Sequence, residues 1–307
     1  MQTVRNRVAD ILGIDLPIVQ APMNYIAGHA LAAAVSAAGG MGVLGPNAGK
    51  VQGEEISMRE RTLREFSRIR EVTDKPVGIN VVVPDGDNKA ALMYARNTVE
   101  AAAEGGATAA FCVGGLQPSI FELIKSKGMK LIVRPLTPTV KNAREAQAMG
   151  ADIFVATGYD AGGFLPSHHT GTFSIVPTIV DAVTIPVLAA GGINDLRGVR
   201  AAFALGAEGV YVGTRFIATN ECAANDHAKE LICKLSGSNL LYVDETQRSL
   251  PTEFAAEAYV KHRLAPTVPT TVDLVGALRT GMYDGEPDKG IVTVNTGIDV
   301  IRSVVPA

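Results

Sequence analysis

Two stretches decide the fold: Ile185-Pro-Val-Leu-Ala-Ala-Gly-Gly-Ile193 and, about one helix later, Gly206-Ala-Glu-Gly-Val-Tyr-Val-Gly-Thr-Arg-Phe216. Each is a short apolar run that ends in glycine where a helix is expected to begin. Glycine lets the backbone approach an anion closely, and the free N–H groups at a helix start donate to its oxygens. The paired strand ends therefore predict a phosphate-binding cradle.

Working outward from these stretches, strands and helices alternate regularly. The predicted strands are 17–20, 42–44, 77–82, 109–113, 130–134, 153–157, 187–189 and 209–212. The predicted helices between them are 58–71, 88–104, 119–126, 139–149, 175–182 and 196–204. Eight buried strands followed by polar-faced helices favour a (β/α)8 TIM barrel. A doubly wound open sheet is the rival, but no Gly-x-Gly-x-x-Gly opens a first βα unit and the phosphate glycines come late.

The pattern changes after Phe216, and we predict three segments. Residues 1–218 form the barrel, and residues 219–285 form a small helical subdomain over the barrel mouth, interrupted at Pro251, Pro266 and Pro269. Residues 286–307 are predicted to return as a C-terminal helix, over 290–305, that packs on the barrel.

Composition excludes several classes of protein. Hydrophobic residues make up 47% and the net charge is −3, so a buried core is expected and bulk attraction to nucleic acid or an anionic membrane is not. Three cysteines without ligand spacing argue against a disulfide framework and a metal site. The start at Met1 lacks a signal-peptide pattern, so we predict a cytoplasmic protein without a membrane partner. A homodimer is left open.

Active sites of such barrels lie at the carboxyl ends of the strands. The residues expected there are mostly backbone, amide and thioether groups rather than acids and bases, which suits a large planar cofactor. They are Ala21-Pro22-Met23, Asn80, Cys112, Arg134, Gly158-Tyr-Asp-Ala-Gly162-Gly163, Ala190-Gly191-Gly192 and Gly213-Thr214.

Five motifs, taken together and in order, resemble the nitronate monooxygenase (2-nitropropane dioxygenase) family, which also contains flavin-dependent enoyl-acyl-carrier-protein reductases. They are Ala21-Pro22-Met23, Asn80, Gly158-Tyr-Asp-Ala-Gly-Gly163, Ala189-Ala-Gly-Gly-Ile193 and Gly213-Thr-Arg-Phe216. The resemblance runs from about Asp15 to Cys222 and more loosely through the tail. It implies a barrel that binds FMN non-covalently, with the phosphate on the loops after the seventh and eighth strands, and a small-molecule substrate.

Carried over residue by residue, the resemblance places Ala21, Pro22 and Met23 beside the isoalloxazine ring and Asn80 at its pyrimidine edge. The phosphate would lie on Gly191, Gly192, Gly213 and Thr214. The expected cofactor-binding set also includes Arg134, Gly162, Gly163 and Ala190. For Arg134, contact with a substrate or phosphate and a bond to a loop carboxylate both stay open.

The sequence departs from the family at one position. The family carries histidine directly after the Ala-Gly-Gly of the sixth strand, where this chain has Phe164, followed by Leu165-Pro-Ser-His-His169. Histidine is the natural group for proton transfer near neutral pH. Either His168 or His169 is expected to take the vacated place as the catalytic residue, or the acid–base function is missing.

Four functions follow from these features. The first is oxidation of alkyl nitronates with O2 to carbonyl compounds and nitrite. The second is reduction of enoyl thioesters or quinones, with NAD(P)H docking transiently over the flavin because no separate dinucleotide fold is visible. The third is FMN binding with little turnover, and the fourth is a barrel that binds a phosphorylated substrate and no flavin.

Overall fold

The computed structural model of the chain describes residues 6–51, 53–264 and 271–307, without the side chains of 271–275. Three sequence-based expectations fall outside these residues. They are the first five residues of the predicted barrel and, within the covering subdomain, the helix breaks at Pro266 and Pro269.

Eight parallel strands form a TIM barrel, as the alternation predicts. They are β1 (Ile18–Gln20), β2 (Gly42–Leu44), β3 (Val77–Val83), β4 (Ala109–Gly114), β5 (Lys130–Arg134), β6 (Ile153–Thr157), β7 (Val187–Ala190) and β8 (Gly209–Val212). Each strand pairs with its neighbours in the order β1-β8-β7-β6-β5-β4-β3-β2. A bridge between Val19 and Met41 brings β1 to β2, and the side chain of Gln20 strengthens the junction by accepting from Val43 N at 2.9 Å.

Helices surround this barrel. They are α1 (Arg7–Leu12), α2 (His29–Ala37), α3 (Met58–Arg70), α4 (Lys89–Glu104), α5 (Pro118–Ser126), α6 (Val140–Ala148), α7 (Thr172–Val180) and α8 (Leu196–Ala204). Successive strand residues point to opposite sides, so each strand serves two cores. Phe111, Ile132 and Leu188 pack inside the barrel, whereas Val81, Leu131 and Phe154 pack between strands and helices.

One helix start differs from the expectation in a way that matters for the site. Helix α7 begins at Thr172, three residues before the predicted start at 175, because Asp160 accepts a hydrogen bond from Thr172 N at 2.6 Å. The cap comes from the loop after β6, and a helix signal read from local sequence does not contain it.

Beyond β8, a small subdomain covers the side of the barrel mouth near β6. It contains α9 (Thr214–Ile217), α10 (Asp226–Lys234), α11 (Glu253–Leu264), α12 (Thr271–Met282) and a hairpin of β9 (Leu241–Tyr242) and β10 (Arg248–Ser249). The hairpin, which the sequence analysis missed, contacts the loop after β6: Leu165 N donates to Thr246 O at 2.7 Å.

The predicted C-terminal helix over 290–305 is wrong. The segment contains no α-helix; it has one 3-10 turn at Ile298–Val300, and another precedes it at Pro287–Lys289. Outside that turn its backbone bonds to other elements: Leu250 N donates to Val292 O at 2.9 Å, and Val305 bridges Thr219. The β-branched run Ile291-Val-Thr-Val294 favours this extended state.

Candidate functional site

The carboxyl-end opening of the barrel, hereafter the mouth, is lined by inward-facing residues at or near the ends of the strands. Alternation places Asn80, Arg134 and Thr157 on the inner side, because their strand neighbours Ile79, Val133 and Ala156 belong to the outer core. Ala21 and Ala190 belong to the inner core. The structure therefore brings together five elements that the sequence separates by up to 169 residues, a span from Ala21 to Ala190.

Two buried polar groups at the mouth lack full hydrogen-bond partners. The hydroxyl of Thr157 is buried and has no partner in the described part of the chain. The Arg134 guanidinium is also buried, donates only to Phe164 O at 3.4 Å, and has its pKa lowered by that burial. A buried hydroxyl without a partner and a buried cation with one long hydrogen bond are both costly, so their presence at one opening indicates that a ligand completes them.

Asn80 and the loop after β1 sit at the same opening. Asn80 Nδ2 donates to Phe111 O at 3.1 Å, which orients its amide across the top of the barrel. A methyl group placed on Gly213 would lie 3.7 Å from Ala21 Cβ and 3.9 Å from Met23 Sδ. Gly213 is thus in contact range of the residues predicted to flank a ring, and Pro22 between them is half-buried.

The loop after β7 has the backbone that the glycines predict. Gly191 and Gly192 have φ values of +110° and +70°, a region that other residues rarely adopt. A Cβ on Gly191 would meet Thr172 Oγ1 at 2.7 Å, and one on Gly158 would meet the same oxygen at 2.2 Å. The loops after β6 and β7 and the start of α7 therefore pack backbone against backbone here.

Donors for an anion are available at this place. Within residues 6–51, 53–264 and 271–307, the N–H groups of Gly192, Gly213 and Thr214 have no hydrogen-bond acceptor. The hydroxyl oxygen of Thr214 accepts from Asn295 N at 3.0 Å, which leaves its proton free to donate. These donors fit a phosphate. The unpaired Thr157 hydroxyl and the weakly bonded Arg134 guanidinium at the same opening fit the polar edge of a flavin ring.

Gly162 and Gly163 have separate positions in the loop after β6. Gly162 lies against the C-terminal segment, since a Cβ there would be 2.7 Å from the carbonyl carbon of Val294. Gly163 has φ +71° with open space around it. Their predicted contact with the cofactor stays a prediction.

The two candidate histidines are exposed. His169 packs its ring on Tyr159, with ring centroids 4.3 Å apart, and among the described residues neither imidazole has a hydrogen-bond partner. A general base is normally oriented by a second group, and these rings lack one. Phe164, which stands in the family's histidine position, is 42% exposed. The expected swing of a histidine into that position stays a prediction.

Sequence reasoning missed Arg248, which holds the loop after β6 in place. Its side chain is buried, donates to Tyr159 O and to Ala161 O, the latter at 2.7 Å, and lies over the Tyr159 and Tyr242 rings. Burial lowers the pKa of its guanidinium. An isolated arginine far along the chain gave no signal of this role.

Two residues have structural roles. Cys112 faces the outer core, where burial raises the pKa of its thiol, so it is not a mouth residue. Arg215 donates to Ala218 O and to Ser303 O, the latter at 2.9 Å, and so braces the loop after β8. The described residues contain no group of three or more His, Cys, Asp or Glu placed to hold a metal. They also contain no helix long and apolar enough to span a bilayer.

Comparison with known proteins agrees with this geometry. The family model described as nitronate monooxygenase matches residues 5–307. The chain belongs to the nitronate monooxygenase family. This is a family of oxidoreductases in which flavin dependence is typical.

Three relatives show the range of the family. A "(3aS,4S,5R,7aS)-5-hydroxy-7a-methyl-1-oxo-octahydro-1H-indene-4-carboxyl-CoA dehydrogenase" from Rhodococcus jostii is 34% identical over 234 residues, 75% of this chain, and the match spans only 60% of that protein. FabK from Thermotoga maritima superposes with a TM-score of 0.84 at 32% identity, covering 99% of this chain and 93% of that one. A probable nitronate monooxygenase from Staphylococcus saprophyticus is 28% identical, covering 89% of this chain and 86% of that protein.

Proposed function

We propose that the protein is an FMN-dependent oxidoreductase whose flavin lies across the barrel mouth. The observation that carries this is the coincidence of free N–H donors after β7 and β8 with two polar groups at the same opening: the unpaired Thr157 hydroxyl and the Arg134 guanidinium, which makes a single long hydrogen bond. Gly192, Gly213 and Thr214 would hold the phosphate. Asn80, Arg134 and Thr157 would contact the ring. FMN, when bound, supplies the two-electron redox chemistry.

The substrate that best suits this mouth is an alkyl nitronate, oxidised with O2 to a carbonyl compound and nitrite. A nitronate is already deprotonated, so its oxidation needs no general base. The inner side of the mouth offers two titratable side chains among the described residues, Arg134 and Tyr211. Burial raises the pKa of the Tyr211 phenol, and an arginine keeps its proton, so neither serves as a base at neutral pH.

Arg134 also favours negative charge at this position. Its cation is held out of water, where it acts on nearby charge more strongly than an exposed cation does. It would stabilise an anionic substrate, or negative charge that develops on the ring above it. The protein's contribution is therefore binding, orientation and a fixed positive charge.

The test begins with the purified protein and added FMN. We expect one equivalent of flavin to be retained, and oxygen uptake with nitrite release when an alkyl nitronate is added without pyridine nucleotide. Retained flavin with no oxygen uptake across a panel of nitronates would overturn the nitronate assignment while leaving the flavin assignment intact. Failure to bind FMN would overturn both and leave a barrel for a phosphorylated substrate.

A second candidate is reduction of an enoyl thioester or quinone with NAD(P)H as the transient reductant. Its support is a set of exposed apolar side chains near the mouth: Val82 at the end of β3, Leu136 after β5, Phe164 after β6 and Phe173 in the first turn of α7, each more than a third exposed. The relatives named for a CoA thioester and as FabK are 34% and 32% identical to this chain, against 28% for the nitronate monooxygenase from Staphylococcus saprophyticus. Anaerobic bleaching of the flavin by NADH or NADPH, reversed by an enoyl thioester, would favour this candidate.

We also propose a location, a partner class and an oligomeric state for the protein. We keep the cytoplasmic location and the absence of a nucleic-acid partner as proposals that rest on composition. A homodimer is a further proposal, tested by light scattering. A flavoprotein with little turnover is the outcome if both assays fail on a protein that retains FMN.

A further inference from the structure

Residues 293–297, hereafter the C-terminal strap, cross the phosphate side of the mouth and contact all three loops that form it. Thr296 N donates to Asp160 O at 3.0 Å on the loop after β6. Asn194, on the loop after β7, bonds the strap through its side chain. Asn295 N donates at 3.0 Å to Oγ1 of Thr214, the first residue of α9, directly after the short β8 loop.

The contact with the β7 loop is a reciprocal pair of amides. Asn194 Nδ2 donates to Asn295 Oδ1 at 2.9 Å, and Asn295 Nδ2 donates back to Asn194 Oδ1 at 2.7 Å. Asn194 Nδ2 also donates to Gly297 O at 2.8 Å, and Gly297 N donates to Asn295 Oδ1 at 2.9 Å. Both asparagines are buried, so the two bonds between their amides are sheltered from water, whereas the two bonds to Gly297 are partly buried.

Glycines allow the strap to lie this close. A Cβ on Gly162 would be 2.9 Å from Asn295 N, and one on Gly297 would be 3.1 Å from Asn194 Nδ2 and 3.2 Å from Gly192 O. The strap therefore packs directly on the backbone of the glycine that is expected to bind the phosphate. The position of the strap therefore affects the shape of the phosphate cradle directly.

The bond from Asn295 N decides which way the Thr214 hydroxyl points. A hydroxyl has one proton to donate and lone pairs to accept with. Because the strap's N–H occupies the acceptor side of Thr214 Oγ1, the proton is directed away from the strap. Thr214 follows Gly213, whose own N–H has no acceptor in the described residues.

We propose that the C-terminal strap is part of the phosphate site: Asn295 N–H fixes the Thr214 hydroxyl as a donor to the flavin phosphate, and the Asn194–Asn295 amide pair is the clasp that keeps it there. Asn194 and Asn295 are positioning residues, since they act through Thr214. This inference rests on the proposed binding of FMN, and it adds to it a role for a segment about 80 residues beyond β8.

The experiment compares FMN with riboflavin, which has the same ring and ribityl chain but no phosphate. Dissociation constants for both are measured by quenching of flavin fluorescence with the full-length apoprotein. For Thr214→Val, which keeps the shape and removes the hydroxyl, we expect about tenfold weaker FMN binding, as is typical for loss of a hydrogen bond to a charged group. Riboflavin binding should change by less than about twofold, and Thr214→Ser should retain FMN affinity.

The clasp is tested by Asn194→Ala and Asn295→Ala. Each is expected to weaken FMN binding by about three- to tenfold and to leave riboflavin nearly unaffected. In the Thr214→Val background the same substitutions should have almost no further effect, because the hydroxyl that they position is gone. A merely structural role would weaken both ligands and would persist in the Val background.

Asn225→Ala is the matched control. Asn225 also ties the covering subdomain together, donating to Gly281 O at 2.9 Å and accepting from Ala228 N at 2.8 Å, but it is not part of the cradle. It should lower the stability of the apoprotein without changing the ratio of FMN to riboflavin affinity. Unfolding in urea identifies any variant that fails to fold.

Two results are decisive. If the wild-type protein binds FMN but the Asn194 and Asn295 variants keep its preference over riboflavin, the strap has no part in the phosphate site. If the wild-type protein binds riboflavin as tightly as FMN, or binds neither, the proposed phosphate cradle itself is wrong.

Discussion

The loops after β7 and after β6 both lie at the mouth, but one offers backbone groups to a ligand and the other offers side chains. The loop after β7 forms its site from backbone, with Gly191 and Gly192 at positive φ and the N–H of Gly192 unpaired in the described residues. The insertion after β6 places its functional candidates, His168 and His169, on exposed side chains. A site formed by backbone groups can be predicted from the positions of its glycines, which the sequence gives. A site formed by side chains also depends on their hydrogen-bond partners in space, which the sequence does not give.

The insertion is nevertheless anchored. Ser167 N donates to Thr137 Oγ1 at 2.9 Å, and Leu165 N donates to Thr246 O. Its backbone is held between the β5 loop and the hairpin while both imidazoles stay in solvent. We therefore expect the β7 loop to govern flavin binding and the insertion to govern which substrates are accepted.

The largest effect should come from Gly191→Ala. The new Cβ would meet Thr172 Oγ1 at 2.7 Å and would need φ +110°, so the cradle must distort. We expect FMN affinity to fall by about 100-fold, equal to about 3 kcal/mol. Fluorescence titration measures this. Gly128→Ala is the control, because Gly128 has a similar positive φ with open space around it; it should cost about 1 kcal/mol of stability and leave FMN affinity unchanged.

The second largest effect is expected from Arg134→Met, which should weaken FMN binding without lowering the free energy of unfolding of the apoprotein. Removing a buried cation with a single long hydrogen bond should leave the free energy of unfolding of the apoprotein unchanged or raise it by about 1 kcal/mol. FMN affinity should fall about tenfold, since a charged contact is lost. Urea unfolding and flavin titration are the measurements.

Arg248→Met supplies the contrast for Arg134. Arg248 is buried too, but it donates to Tyr159 O and Ala161 O. Its loss should lower the free energy of unfolding by about 2–4 kcal/mol. If Arg134→Met destabilised the apoprotein as much as Arg248→Met does, Arg134 would be structural and our assignment of it to the ligand would fail.

A gain of activity is expected from Phe164→His. This places an imidazole at the position where the family carries one, beside a mouth that otherwise lacks a base. Oxidation of a neutral nitroalkane should rise by about tenfold or more, with an apparent pKa near 6.5 in the pH–rate profile. Oxidation of the preformed nitronate should not change. A wild-type protein that already used both substrates equally would contradict the assignment of the missing base.

The smallest effects are expected from His168→Ala and His169→Ala. With a nitronate as substrate, kcat/KM should stay within about twofold of wild type, because no proton transfer to these exposed rings is needed. Steady-state oxygen uptake measures it. A loss above tenfold in either variant would show that the insertion rearranges to bring that histidine to the flavin, as the sequence analysis allowed.

Much of the fold was predictable because its signals are local. Buried strands, polar-faced helices and terminal glycines gave eight strands in the right order, and the late position of Gly191 and Gly213 identified the barrel. The C-terminal helix was wrong because residues 290–305 take their hydrogen bonds from distant elements. The start of α7 was misplaced for the same reason: its cap, Asp160, belongs to another loop.

The site was predictable to the extent that backbone defines it. Thr157 was not predicted because the expected site residue of β6 was the one that follows the strand, whereas the last inward-facing residue of β6 carries the unpaired hydroxyl. Asn194 and Asn295 were missed because their partners lie 101 residues apart. Neither hydrophobic periodicity nor motif spacing predicts a hydrogen-bonded pair of side chains that far apart in the sequence.

The central claim is that the backbone amides of the β7 and β8 loops hold the flavin phosphate. The most direct measurement is a crystal structure of the protein with FMN. We predict the phosphate within hydrogen-bond distance of Gly192 N, Gly213 N and the Thr214 hydroxyl, with the ring over Arg134 and Thr157. A phosphate bound elsewhere, or a mouth that excludes FMN at saturating concentration, would contradict the account.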